Sequence, residues 1–183
     1  MTKRETYPVD VAGVHRDLVI FEVKPGLRIA ILNILGDTEL VRASAKALAE
    51  KLESLDYDVI VTAEAKSIPL AHDLSAVTKK PYVVLRKAHK PYMGNALKAE
   101  TLSITTGKPQ TLLLDEKDRS LVKGTNVLIL DDVISTGSTL QGMRLLIEKA
   151  GAKVVGEAAI LTEGERAKWA DIIALGHLPV FTD

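Results

Sequence analysis

The sequence predicts an α/β domain, a doubly wound and mostly parallel sheet with helices on both faces. Two observations carry this. β-branched apolar runs alternate with amphipathic segments of roughly three to five turns. No internal repeat or low-complexity linker interrupts the alternation. A third is length, since 183 residues can bury a proper core as one unit. A single domain over residues 1–183 is expected.

The elements follow in order. After a polar start, DLVIFEV (17–23) and RIAILNIL (28–35) read as strands split by the turn signal KPG. Between Thr38 and Leu55, the residues Val41, Ala45, Leu48, Leu52 and Leu55 recur at steps of three and four, which predicts a helix facing a sheet. Asp37 or Thr38 can cap it. YDVIVTAE (57–64), IPLAHDLSAVT (68–78) and PYVVLRK (81–87) read as strand, helix and strand. Residues 88–100 carry Pro, Gly and Asn without a clean period and predict a long loop, of the kind that often closes over or binds ligands. TLSITT (101–106) and QTLLLD (110–115) flank GKP as a second hairpin. NVLILD (126–131) is the next strand, and Leu140, Met143, Ile147 and Ala150 keep helical spacing behind it until Gly151 stops the helix. KVVGEAAILT (153–162) predicts another strand, and IIALGHLPVF (172–181) an apolar tail.

Composition narrows the function classes. With 46% hydrophobic and 26% charged residues the chain sits in the soluble globular range. Its 24 Lys and Arg balance 24 Asp and Glu, so no overall basic field draws in nucleic acid or an anionic membrane. Neither partner is expected, and any anion site must be local. The absence of cysteine excludes disulfides, thiolate nucleophiles and zinc thiolates. The histidines His15, His72, His89 and His177 show no metal-ligand spacing. MTKRETYPVD lacks the apolar core of a signal peptide, and no run reaches the ~18 to 20 apolar residues of a membrane span. A cytoplasmic location is expected.

The informative stretch is VLILDDVISTGSTL (127–140), where a buried-type strand ends on two carboxylates and a run of small hydroxyl residues opens a helix. In a doubly wound sheet, ligands sit beyond the carboxyl ends of the strands. Backbone amides of a Gly-containing turn and of a helix start form a concave donor surface for phosphate. Ser135, Thr136, Ser138 and Thr139 add hydroxyls around Gly137. Asp131 and Asp132 repel a bare phosphate, so they call for hydroxyls to accept from, or a cation nearby. A ribose 5-phosphate with Mg²⁺ meets both demands. Taken alone, the stretch also fits a helix cap followed by a solvated turn. A P-loop is excluded because Met143 and Arg144 stand where Lys and Ser or Thr are required after Gly137 and Gly142. A dinucleotide site is excluded because no GxGxxG triplet follows the first strand.

VLILDDVISTGST resembles the phosphoribosyl pyrophosphate (PRPP) signature of the type I phosphoribosyltransferases. VTAEAKSIPLAHDLS is similar to the pyrophosphate loop of the purine members, and PYVVLRKAHK to their strand ending in Arg-Lys. From about Val59 to Thr162 the order of blocks matches the adenine and xanthine members. The resemblance implies a core over about 36–165, and a hood over the base from about 8–35 and 166–183. It implies that PRPP and a purine base are the substrates, with adenine favoured and xanthine next. A nucleoside monophosphate and pyrophosphate would be released, a step of purine salvage. It further implies a homodimer and Mg²⁺ held mainly through the diphosphate, with no protein side chain as a direct metal ligand.

By the same resemblance, Asp131 and Asp132 hold the ribose hydroxyls and Ser135, Thr136, Gly137, Ser138 and Thr139 cradle the 5-phosphate. Glu64, Ala65, Lys66 and Ser67 form the pyrophosphate loop, with the Glu64–Ala65 peptide expected to be cis. Arg86 and Lys87 supply further cations, and Arg86 and Lys90 are the residues expected to assist catalysis. Asn33 and Asp37 are expected beside the base. The chain departs from the family pattern at Thr105 and Thr106, where adenine members carry Glu, and at Ser67 and Ser138, where Gly is usual. These departures motivate an alternative, a non-catalytic PRPP-binding regulator on the same fold, like the purine repressors with their winged-helix domain. The fold begins within ~20 residues of Met1, so no preceding domain of ~50 residues is expected.

Overall fold

The computed structural model describes residues 4–102 and 109–182. Thr105 and Thr106, with Gly107 and Lys108 of the expected second turn, lie outside the described residues. Three strands open the chain, β1 (Thr6–Val11), β2 (Val14–Lys24) and β3 (Leu27–Ile31), followed by α1 (Thr38–Lys51), β4 (Val59–Ala63), α2 (Ile68–Thr78) and β5 (Tyr82–Leu85). A hairpin of β6 (Leu97–Leu102) and β7 (Pro109–Leu114) precedes α3 (Arg119–Val122), β8 (Asn126–Ile134), α4 (Ser138–Lys149) and β9 (Lys153–Glu163). The chain ends in β10 (Ile173–Leu178) and β11 (Val180–Thr182).

The main sheet has five parallel strands in the order β10-β9-β8-β4-β5. Side-chain alternation splits its core in two. Ile60 of β4 and Leu128 and Leu130 of β8 face α1, α2 and the opening strands, in a cluster with Leu40, Leu48 and Leu70. Val59 and Val61, with Val127 and Ile129, face α4 through Leu140, Met143 and Ile147. Helices thus cover both faces, as the alternation of elements requires.

The opening strands differ from expectation. β1 pairs with β2 through a tight turn at Ala12 and Gly13, both at positive φ. β11 then joins β3, giving a four-stranded antiparallel sheet in the order β1-β2-β3-β11. The apolar tail is therefore two strands: β10 extends the parallel sheet and β11 crosses to the other. Helix α1 stops at Lys51 rather than Leu55. Leu55 keeps helical spacing but packs from the following loop over Gly156 of β9, where a β-carbon would collide with it. The expected long loop is shorter, with a 3-10 turn at Pro91–Met93 and β6 already begun at Leu97. Among the described residues no helix is long and apolar enough to cross a membrane.

Candidate active site

From β4 the chain builds outward through α2 to β5, then returns to β8 on the other side of β4 and continues through α4 to β9. Strand order therefore reverses between β4 and β8, and a crevice opens at their carboxyl ends. Residues 64–67 enter it from β4, and residues 131–139 from β8 and the start of α4.

Adjacent positions on β8 point to opposite faces, so Asp131 turns towards the turn before α4 and Asp132 towards β3. Ser67, buried at the head of α2, ties the two together. Its hydroxyl donates to Asp131 Oδ1 at 2.6 Å, stands 3.3 Å from Asp132 Oδ1, and receives the Asp132 backbone N–H at 3.0 Å. Burial, and then the neighbouring Asp132 charge, push the Asp131 carboxyl above the ordinary range, while the Ser67 hydrogen bond pulls the other way. Lys66 Nζ lies 3.0 Å from Asp132 Oδ2 without an aligned hydrogen bond, and also donates to the Leu32 carbonyl at 3.3 Å. It acts there as a point charge.

The turn after β8 forms a small cradle lined by Asp131, Ser135, Thr136, Gly137 and Thr139. Gly137 has φ +80°, and a β-carbon there would stand 2.9 Å from the Trp169 ring, so both backbone and neighbour demand glycine. Thr136 and Ser138 hydroxyls are 2.9 Å apart, and Gln110 donates to Thr139 Oγ1 at 3.2 Å. The Ser138 N–H that opens α4 donates to Thr136 Oγ1 at 3.5 Å, so the helix start turns its amides towards the same cradle.

On the other side the Glu64–Ala65 peptide is cis. The Glu64 carboxylate accepts from Arg86 Nε and from the Lys87 backbone N–H, each at 2.6 Å. A cleft of about 230 Å³ gathers Glu64, Ala65, Lys66, Ser67 and Lys87 with Asp131, Asp132 and Thr139. Arg86 is not in it. Its guanidinium is held by Glu64, it bridges in backbone to Leu113, and it lines a separate cleft with Tyr82, Tyr92 and Asp115. Lys90 is exposed at the start of the Pro91–Met93 turn and lines neither cleft.

Asp37 and Asn33, the residues expected beside the base, both have partners within the protein. Asp37 caps α1, accepting from the Leu40 N–H at 3.2 Å, and both its oxygens are held by Arg16 of β2 at 2.8 Å. Arg16 holds the Asp37 carboxyl below its ordinary range. Asn33 is exposed and accepts from the Leu35 N–H at 3.3 Å. Both side chains shape the β3–α1 connection. The cleft beside Asp132 is instead lined by Ile29, Ala30, Ile31 and Leu32, with Lys66, Val133, Ser135 and Glu163. Glu163 escaped sequence reasoning, although an acid closing an apolar strand is the signal that exposed Asp131. His177 has both ring nitrogens engaged, by Thr162 Oγ1 at 2.8 Å and the Gly164 carbonyl at 2.9 Å.

Two adjacent carboxylates thus stand beside a hydroxyl-lined turn at the switch point of the parallel sheet. The chain belongs to the phosphoribosyl transferase domain family, whose model matches residues 31–175. It is 32% identical over 143 residues to the purine biosynthesis transcriptional repressor PurR of Bacillus subtilis, covering 78% of this chain and 49% of that protein. The chain thus spans about half the length of that regulator, and 54% of a transcriptional activator PurR from Lactococcus lactis. It is also 32% identical over 154 residues to the adenine phosphoribosyltransferase of Thermosipho africanus, covering 84% of this chain and 87% of that enzyme. In fold it is similar to the crystal structure of adenine phosphoribosyltransferase from Thermoanaerobacter pseudethanolicus, with TM-score 0.66 and 22% identity over 94% of this chain and 95% of that one.

Proposed function

We propose that the protein transfers the 5-phosphoribosyl group of PRPP to a purine base, adenine first and xanthine next, releasing pyrophosphate in purine salvage. The observation that carries this reading is the Ser67 hydroxyl joining Asp131 and Asp132 at the edge of the cradle. Two carboxylates so held suit vicinal hydroxyls, and the neighbouring amides suit the 5-phosphate. Family membership and an adenine phosphoribosyltransferase relative matched over 87% of its length support the base class.

In the proposed step a ring nitrogen of the base bonds to C1 of the ribose as the bond to pyrophosphate breaks, and the proton that the ring carried is released to the pyrophosphate or to water. Positive charge grows on the sugar and negative charge on the leaving group, so preplaced charges and donors do the catalytic work. Asp131 and Asp132 fix the ribose. The amides of Ala65 to Ser67, with Lys66 and Lys87, receive the diphosphate. Arg86 supports this loop through Glu64, and Lys90 adds a further cation from the neighbouring segment.

Among the described residues no three His, Asp or Glu side chains converge as a metal cage. That donor set fits Mg²⁺ only as an ion carried by the substrate's oxygens, with Asp131 and Asp132 nearby. When bound, Mg²⁺ neutralises charge on the diphosphate. The reading includes one domain over residues 1–183, the antiparallel sheet and tail as a hood over the base, a homodimer and a cytoplasmic site of action.

A second reading is a PRPP-binding regulator without turnover. It is favoured by the similarity to the repressor and activator PurR proteins and by Thr105 and Thr106 in place of Glu. Incubation with PRPP, Mg²⁺ and, separately, adenine, xanthine, hypoxanthine, guanine and orotate separates the two. Pyrophosphate release with adenine is expected. PRPP binding with no release for any base would establish the regulator instead, and release with orotate alone would sink the purine assignment.

A further inference from the structure

Glu163 is the carboxyl group that the proposed chemistry leaves unused. It closes β9, is only 8% exposed, and its backbone is pinned on two sides, by pairing with Leu178 and by the Trp169 indole N–H on its carbonyl at 2.9 Å. Among the described residues no group hydrogen-bonds to its carboxyl oxygens. Lys66, the cation acting on it, has its ammonium committed to Asp132 and the Leu32 carbonyl. Glu163 lines a cleft of about 140 Å³ beside Asp132. Pockets for whole small ligands start near ~300 Å³, so this recess suits one ring system of a larger ligand. Ile29, Ile31 and Val133 give it apolar walls suited to the faces of an aromatic bicycle.

We propose that Glu163 determines base specificity, its carboxyl group accepting a hydrogen bond from an exocyclic amine of the purine. This rests on the phosphoribosyl reading, because the base must follow the ribose held at Asp131 and Asp132. The physical reason is complementarity: in a largely buried residue a carboxyl oxygen gains from an amine donor and is repelled by a ring carbonyl at the same place. Burial pushes the Glu163 carboxyl up from its ordinary range while Lys66 draws it down, as expected of an acid still awaiting a donor.

The test measures dissociation constants calorimetrically for ribose 5-phosphate, adenosine 5′-monophosphate and inosine 5′-monophosphate, with wild type, Glu163→Leu and Glu163→Gln. Wild type should bind the amine-bearing nucleotide about tenfold or more tightly than the carbonyl-bearing one, the scale of one hydrogen bond to a charged group. Glu163→Leu should abolish that preference and Glu163→Gln, which keeps a carbonyl acceptor, should retain part of it. Affinity for ribose 5-phosphate should be unchanged in all three. An undiminished preference in Glu163→Leu, no preference in wild type, or an equal loss for all three ligands would overturn the assignment. If wild type binds no ribose 5-phosphate at all, the phosphoribosyl reading falls and the role of Glu163 with it.

Discussion

At Asp131, binding and stability pull in opposite directions. Its folded-state pKa is raised above the unfolded value of ~3.9, so between those two values the folded protein holds a proton that the unfolded chain has released. Stability from this group is therefore present at low pH and lost as pH rises through that window. Asp131→Asn should raise the thermal midpoint of the ligand-free protein at pH 7, and the gain should vanish below roughly pH 4, where both forms are neutral. The same change should weaken PRPP binding roughly tenfold or more. A lowered midpoint at pH 7 would instead make the carboxylate structural. Ser67, a departure from the family's glycine, has a reason in the same place: its hydroxyl is the donor that eases two neighbouring carboxylates.

The turn that joins β8 to α4 depends on one glycine. Gly137→Ala places a side chain at φ +80° and 2.9 Å from the Trp169 ring. The expected cost is about 1–3 kcal/mol in urea unfolding, with ribose 5-phosphate affinity reduced as the cradle shifts. Unchanged stability and binding would show that the turn relaxes freely. Trp169 links the two ends of the crevice, since its ring lies against Gly137 in the turn before α4 and its N–H holds the Glu163 carbonyl. Element boundaries followed the same logic: Leu55 satisfied the helical period from a loop, so α1 ended a turn early.

One apolar cluster joins the antiparallel sheet to the parallel one. Val11, Val14 and Leu18 share it with Leu40, Leu48, Ile60 and Leu128. Leu18→Ala in β2 should therefore lower the stability of the whole molecule, by about 2–5 kcal/mol, rather than loosen the opening strands alone. Far-UV circular dichroism and the fluorescence of Trp169, which packs on the opposite face of the main sheet, should report one coincident transition. Two separated transitions would mean that the antiparallel sheet unfolds independently.

Local pattern was enough for α1, α2, α4, β4, β8 and β9, because burial of one face imposes a period that the chain carries in order. It also placed VLILDDVISTGST at a strand end and helix start, because its carboxylates and small hydroxyl residues are consecutive. What it did not contain was which strands pair and where long side chains end. β1 and β11 acquire their meaning from β2 and β3, and the alternation in Tyr7, Val9 and Val11 is legible only once that partner exists. Asp37 is expected from the sequence as a cap, and only the fold shows that Arg16, 21 positions earlier, holds both its oxygens. Arg86 was drawn from the crevice by Glu64, and Glu163 was brought to it by β9. Charge pairing and strand order act between residues far apart in the chain, so they became readable only in the folded molecule.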